Sequence, residues 1–361
     1  MTSPFDSVTF QCGQHVTNRF CLAPLTNLQS NPDGTLSDEE YRWLTMRAQG
    51  GFGLVMTCAA HVDPLGQGFA GQLGAWSDAH LPGLSRLARG IKHEGSVAVV
   101  QLHHAGRRAA KDVIDGAPVA PCADESTGAR ELSTEEVDGI IESFVAAAVR
   151  CQSAGFDGIE LHAAHDYLLC EFLNGEFNVR TDRYGGSRDN RYQVLGDIVS
   201  GIRRSCGSNF LIGVRLSPER FGMATSDIRD VYSRLVESGE VDFIDLSLWD
   251  TFKDAVDPEF GGTSLLGLFT SLDRGDVRLM VAGHLYNGDD VQRALDAGAD
   301  LLAIGKAAIT NHDFPHLVAA DPSASMRSLP VSVATLGDEG LSPVFIEYMS
   351  SWKGFVEGDS H

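Results

Sequence analysis

His162-Ala163-Ala164-His165-Asp166-Tyr167 sets two imidazoles and a phenol beside one another in the chain. Imidazole carries protons near neutral pH and a phenol is a weak proton donor, and both donate hydrogen bonds, so the trio suits a proton-transfer site. The same run has two other readings. His162, His165 and Asp166 are ligand types for zinc or non-haem iron, and paired histidines also occur as hydrogen-bonded core residues. The preceding Gly155-Phe156-Asp157-Gly158-Ile159-Glu160 reads as a turn followed by a short buried strand. The histidines then emerge where that strand meets its loop, which is where α/β proteins carry chemistry.

The elements that position them repeat. Apolar runs bounded by turn residues recur at 19–23, 53–57, 97–102, 158–161, 211–216, 243–248, 279–282 and 301–304. Amphipathic segments lie between them. The clearest is 133–154, where Ser133 and Glu136 form a capping box and Val137, Ile140, Ile141, Phe144, Val145 and Ala148 make one apolar stripe. Alternation of this kind predicts an α/β fold with a parallel sheet, and eight repeats predict a closed (β/α)₈ TIM barrel. An open doubly wound sheet is the alternative, weakened because no Gly-x-Gly-x-x-Gly turn follows the first strand. The whole of 1–361 reads as one domain. Residues 1–18 are expected to form a hairpin under the barrel, and the excursion 107–132, after strand three, a lid over its mouth without elements of its own.

Other strand ends supply a second group of candidates. Val281-Ala282-Gly283 and Ile304-Gly305-Lys306 place glycines after the last two strands, where barrels often hold a phosphate, with a cation beside the second. Tight turns with a solvated lysine are the bland reading. Gln101 offers both a donor and an acceptor, as a pyrimidine-like edge requires. Arg215 brings a permanent cation to the mouth, to meet either an anionic flavin edge or a neighbouring carboxylate such as Glu160 or Asp245. Trp76, Trp249 and Phe252 read as pocket walls or as packing.

Composition narrows the class. The 361 residues carry 49 acidic against 28 basic side chains, a formal net charge of −21. That balance argues against a nucleic-acid partner. Seven cysteines without a Cys-x-x-Cys pair suggest neither a disulfide scaffold nor a metal cluster and fit a reducing cytoplasm. No apolar run approaches the roughly 20 residues of a membrane span, and no signal segment opens the chain. The expected protein is cytoplasmic, with no membrane partner.

Together, Ala23-Pro24-Leu25-Thr26, Gln101-Leu102 with His104-Ala105-Gly106-Arg107, His162-x-x-His165-x-Tyr167-Leu168, Arg180 to Ser187, and the late Ala282-Gly283 and Ile304-Gly305 resemble the old yellow enzyme family of FMN-dependent ene reductases. The resemblance runs from Asn18 to about Pro315. It implies that Ala23, Pro24, Leu25 and Thr26 line the FMN, with Thr26 on the flavin O4. It places Ala59 at the flavin edge, Gln101 on the pyrimidine ring, Arg215 near N1, and Ala282, Gly283, Gly305 and Lys306 around the phosphate. His162 and His165 would grip a substrate carbonyl oxygen, His162 also contacting the cofactor, and Tyr167 would donate the proton. NADH or NADPH would deliver hydride to the flavin, and an α,β-unsaturated carbonyl compound would then be reduced at its C=C bond. No metal is implied. A monomer or homodimer is expected, reduced directly by a diffusing nicotinamide, because the cysteine cluster and C-terminal nucleotide-binding region of the larger family branch are missing.

Some positions depart from the family pattern. Asp166 stands where Gly is usual between the second His and the Tyr, and either raises the pKa of His165 or points away. Lys306 replaces Arg, His312 a common Pro, and Asn27 a basic or small residue. His103 takes the place of an aromatic that shapes the substrate pocket. Two other functions stay open: a flavin-binding barrel with a different or lost redox substrate, and a metal-dependent barrel hydrolase.

Overall fold

Eight parallel strands close into a barrel in the computed structural model, which describes residues 2–358. They are β1 (Phe20–Leu22), β2 (Leu54–His61), β3 (Val97–His103), β4 (Gly158–Ala163), β5 (Leu211–Leu216), β6 (Phe243–Ser247), β7 (Arg278–Ala282) and β8 (Leu301–Ile304). Each overlaps one of the predicted apolar runs, β2 continuing four residues beyond its run to His61, and β8 pairs with β1 to close the ring. Residue 1 and residues 359–361 of the predicted single domain lie outside the described residues.

Side chains alternate along each strand between the surrounding helices and the barrel interior. Ile159 and Leu161 of β4 pack outward among the helices, while Glu160 and His162 point into the barrel. The lower interior is dry. Val97, Leu211 and Phe243 at the strand beginnings meet Val8, Phe10, Cys12 and Val16. These last belong to the expected N-terminal hairpin, Val8–Thr9 paired with His15–Val16, which plugs the barrel bottom. Its Phe10 ring sits 6.0 Å from that of Phe243. With the bottom sealed, only the face at the strand C-termini is left for a site.

Between strands run helices of the predicted kind. Thr134–Ala154 carries the Ser133/Glu136 capping box, ends on Gly155 at φ 96°, and buries Val137, Ile140, Phe144 and Ala148. Ile141 and Val145 are only partly buried. The excursion 107–132 is not featureless: Val119–Ala120 pairs with Arg130–Glu131. Nor does it line the barrel mouth. Its Ala109, Val113 and Ile114 pack with Leu65, Ala105 and Tyr167, so it buttresses the back of Tyr167.

The mouth is instead covered by the C-terminal region. Ser342 caps helix Pro343–Ser350, whose Tyr348 and Met349, with Trp352 beyond it, face the central cavity. Glu339 anchors this region: it accepts from the His312 backbone N–H at 2.6 Å and its ring Nδ1 at 2.7 Å, and from Arg327 at 2.7 Å. Burial alone would push the Glu339 carboxyl up, but these donors outweigh it and hold its pKa at about 2. A carboxyl depressed on folding stabilises above its unfolded value and loses that contribution as pH falls. From about pH 4.5 down to 2, the unfolding equilibrium constant of the wild type should therefore climb by up to tenfold per pH unit more steeply than that of Glu339→Gln. Parallel acid limbs in chemical denaturation would refute this.

Candidate active site

A cavity of about 410 Å³ opens at the strand C-termini, within the usual range for a small-molecule site of roughly 300–1,000 Å³. Ala23, Pro24, Leu25, Thr26, Ala59, Gln101, His103, His162, His165, Tyr167, Arg215, Ala282, Gly283, Gly305 and Lys306 all line it. Residues spread over nearly 300 positions of chain are thus gathered on one surface.

The loop after β4 is held in an unusual conformation. His165 and Asp166 adopt φ 62° and 61°, the left-handed region that costs a non-glycine residue about 1–2 kcal/mol. The other non-glycine residues with positive φ, Leu28, Arg220, Phe221, Trp249 and His284, also follow barrel strands on this face. Such strain gathers at functional sites and persists because neighbours over-determine it. Here the His165 N–H donates to Ser217 Oγ at 3.1 Å, and its carbonyl accepts from Arg108 at 2.6 Å. The strained turn swings His165 and Tyr167 to the same side as His162. The His162 ring centre is 5.0 Å from that of His165 and 5.0 Å from that of Tyr167.

Protonation follows from burial. Desolvation depresses His162 well below its ordinary value, with His165, His103 and Arg215 adding to the effect. His165 falls to about 3, first from burial and then from Arg215 and Arg108. Both rings are neutral at pH 7, each with one N–H to donate. The Ala164 N–H points at His162 Nδ1 (3.4 Å), which assigns the His162 proton to Nε2. His165 Nε2 lies 2.6 Å from Ser247 Oγ, so that hydroxyl chooses which His165 nitrogen is left to donate. Burial also raises Tyr167 and keeps its phenol protonated. A third imidazole, His103, is buried and neutral. Its Nδ1 lies 3.0 Å from Gln72 Nε2, and its ring centre is 4.4 Å from that of Tyr167 in an edge-to-face arrangement.

Asp166 points away from His165. It accepts twice from Arg107 Nη2, at 2.7 and 2.9 Å, and Arg107 also reaches Asp124 in the excursion. The cluster is therefore a brace between the loop after β4 and the 107–132 excursion. Asp166→Gly removes a charge-assisted contact but relieves the left-handed strain, two opposing effects each worth about 1 kcal/mol. We expect its stability in denaturation to stay within about 1 kcal/mol of wild type and the pH profile of turnover to be unchanged. A profile displaced by a full pH unit would instead mean that Asp166 tunes His165.

The other end of the cavity suits a flat ring and an anion. A β-bulge shifts the β2–β3 register between Met56 and Ala59 and brings the small Ala59 opposite Gln101. Gln101 Nε2 donates to Glu160 Oε1 at 2.7 Å, which leaves the Gln101 oxygen to accept from a ligand. Arg215 meets a neighbouring carboxylate, its Nε lying 3.1 Å from Asp245 Oδ2, and it also lines the cavity. Gly283, at φ 146°, presses its backbone against Trp249 and Asp250. No carboxylate comes within ion-pair distance of Lys306 among the described residues, although its Nζ lies 5.4 Å from the Tyr286 ring centre. An unpaired cation beside glycine turns, alanines under a slot and a free amide oxygen match the phosphate, ring and pyrimidine edge of FMN. The metal reading finds no support in the side chains, since no three His, Cys, Asp or Glu groups gather for an ion among the described residues.

Several lining residues are not evident from local sequence. Ser247, Phe69, Tyr286, Tyr348, Met349 and Trp352 join the cavity. For the last three, the Ser342-Pro343 helix start is legible but not what the helix covers. Among the proposed wall aromatics only Trp249 lines the site. Trp76 packs edge-on to His80, and Phe252 lies under Arg293. Asn27 is buried outside the cavity, donating to Glu40 and fixing the loop that presents Thr26.

A sealed barrel with this cavity defines a flavin-dependent oxidoreductase of the barrel class. The pattern of the NADH:flavin oxidoreductase / NADH oxidase family matches residues 5–321. The chain is 33% identical over 312 residues to a probable NADH-dependent flavin oxidoreductase, YqiG, of Bacillus subtilis, covering 84% of each. It is 33% identical over 328 residues to an NADH:fumarate oxidoreductase of Klebsiella pneumoniae, spanning 86% of this chain but about a third (35%) of that protein. The solved old yellow enzyme homologue of Zymomonas mobilis superposes with a TM-score of 0.79 at 28% identity, over 93% of this chain and 96% of that one. The chain belongs to this family, that of the old yellow enzymes, and works with FMN and a nicotinamide hydride donor. No helix among the described residues is long and apolar enough to cross a membrane.

Proposed function

We propose that this protein is an ene reductase, using NADH or NADPH to reduce the C=C bond of α,β-unsaturated carbonyl compounds. The observation that carries the reading is the convergence of neutral His162 and His165 with protonated Tyr167 on one wall of the cavity. Thr26, Gln101, Arg215 and Lys306 would hold FMN, which would supply the hydride, taken from the nicotinamide, for the substrate β-carbon. His162 and His165 hold the carbonyl oxygen by N–H donation, where negative charge builds as the double bond is reduced. Tyr167 gives its phenolic proton to the α-carbon and recovers one from solvent. His103 walls the substrate side. Seven free cysteines, six of them buried, accord with a cytoplasmic setting.

The test is stopped-flow reduction by NADH and by NADPH, followed by reoxidation with cyclohexenone. If neither nicotinamide bleaches the flavin, or no electron-poor alkene restores it, the reading fails. One observation favours a second substrate class, the unsaturated carboxylates. Arg108, outside the cavity lining, is exposed, donates to the His165 carbonyl and stands 4.8 Å over the Tyr167 ring, a cation close behind both side chains, and a fumarate-reducing relative matches most of this chain. A kcat/KM for fumarate that exceeds that for cyclohexenone, and collapses in Arg108→Ala, would select the carboxylate.

A further inference from the structure

Beneath the cavity, above the apolar plug, the inward positions of four adjacent strands are polar: Gln101 on β3, Glu160 on β4, Arg215 on β5 and Asp245 on β6. Glu160 and Asp245 are fully buried and Arg215 nearly so. Two fully buried carboxylates thus lie beside a single guanidinium. If both ionise, one negative charge is left unbalanced in a low dielectric, which like-charge repulsion and burial both oppose.

The hydrogen bonds show the same deficit. Glu160 Oε1 is satisfied by Gln101, but Glu160 Oε2 and both Asp245 oxygens find no donor among the described residues. Arg215 Nε reaches Asp245 at 3.1 Å without the alignment of a hydrogen bond. The two carboxyl groups lie within hydrogen-bonding reach of each other. One proton between them supplies the missing donor and brings the sum with Arg215 to zero. Burial, then the neighbouring Asp245, pushes Glu160 far up, while Gln101 and Arg215 oppose. Facing the pair across the barrel, Cys21 of β1 is itself pushed up and neutral, and His162, one turn of the pleat above, is neutral as well.

We propose that Glu160 and Asp245 hold one shared proton through the working pH range and act as positioning residues for the cofactor. The protonated pair fixes the Gln101 amide with its oxygen toward the cavity. It also limits the counter-charge on Arg215 to one carboxylate, so the floor stays neutral and its guanidinium side faces the negative charge that grows on reduced FMN. This rests on the flavin pyrimidine edge lying over Gln101 and Arg215.

The test uses the FMN-loaded protein with Glu160→Gln, the double variant Glu160→Gln/Asp245→Asn, and Arg215→Gln. In the infrared at pH 7.5, wild type minus Glu160→Gln should show the carbonyl band of an un-ionised carboxyl group. The double variant leaves Arg215 uncompensated. It should bind reduced over oxidised FMN at least tenfold more selectively than Glu160→Gln, which is about 30 mV for a two-electron couple. No carboxyl band in the difference spectrum overturns the shared proton. A band without the shift in potential overturns its influence on the cofactor. If the double variant is silent while Arg215→Gln lowers the potential, the flavin placement stands and only this proposal falls. If both are silent, the placement itself is wrong. Should the double variant not fold, the infrared comparison of Glu160→Gln decides.

Discussion

Replacing His162 by Ala in the FMN-loaded protein should slow hydride transfer to an enone by about 10²–10³-fold, the usual cost of one donor on a developing oxyanion. The argument is geometric and electrostatic. His162 and His165 present neutral N–H groups on a largely buried cavity wall, where a donor acts more strongly than in water and needs no reorganisation during the reaction. With Nδ1 accepting from the Ala164 N–H, His162 has Nε2–H free for the substrate oxygen. Because burial keeps both rings neutral, with His165 at about 3, no loss of rate from their protonation should appear between pH 5.5 and 8.5. Raised by burial, Tyr167 also stays protonated across that window. Stopped-flow reoxidation by cyclohexenone across this range checks both statements. A His162→Ala enzyme that keeps the wild-type rate, or an inflection near pH 6.5 that the variant abolishes, would remove the histidine from its assigned role.

Gly283→Ala is expected to cost the protein its cofactor. At φ 146° the residue occupies a region essentially closed to side chains, a penalty of about 1–3 kcal/mol by itself. An added Cβ would also lie 2.7 Å from the Trp249 carbonyl carbon and 2.9 Å from the Asp250 nitrogen, atoms of the backbone that cannot rotate away. The loop after β6 must shift, and with it the turn that receives Thr251 Oγ1 at 2.7 Å on the Gly283 carbonyl. We expect a purified variant with most of its flavin absorbance missing and a lowered midpoint of unfolding. Gly305→Ala is the informative contrast. Gly305 has φ −102°, and its added Cβ would touch only Leu25 Cδ2 at 3.7 Å. That variant should fold as stably as wild type, and any loss of FMN affinity would come from a methyl group at the cofactor. Equal behaviour of the two variants would show that the Gly283 turn does not shape the site.

Period and punctuation in the chain were enough to determine the barrel. Eight apolar runs separated by amphipathic stretches leave few other ways to bury both faces of a parallel sheet, and all eight strands overlap those runs. The candidate residues were also legible, since a residue at a strand's C-terminal end has its position set by local sequence, and every such end opens on the same face. Three things were decided only by the assembled structure. Asp166 found Arg107, 59 positions earlier in the chain, instead of His165, because the left-handed turn aims its carboxylate outward. The covering of the mouth passed from the 107–132 excursion to Tyr348, Met349 and Trp352, because the His312, Arg327 and Glu339 contacts fold the C-terminal region back over the cavity. Finally, the joint protonation of Glu160 and Asp245 depends on which side chains share the buried interior. A sequence specifies each carboxylate and its strand, but the charge it can hold is fixed by the burial and neighbours that closing the barrel creates.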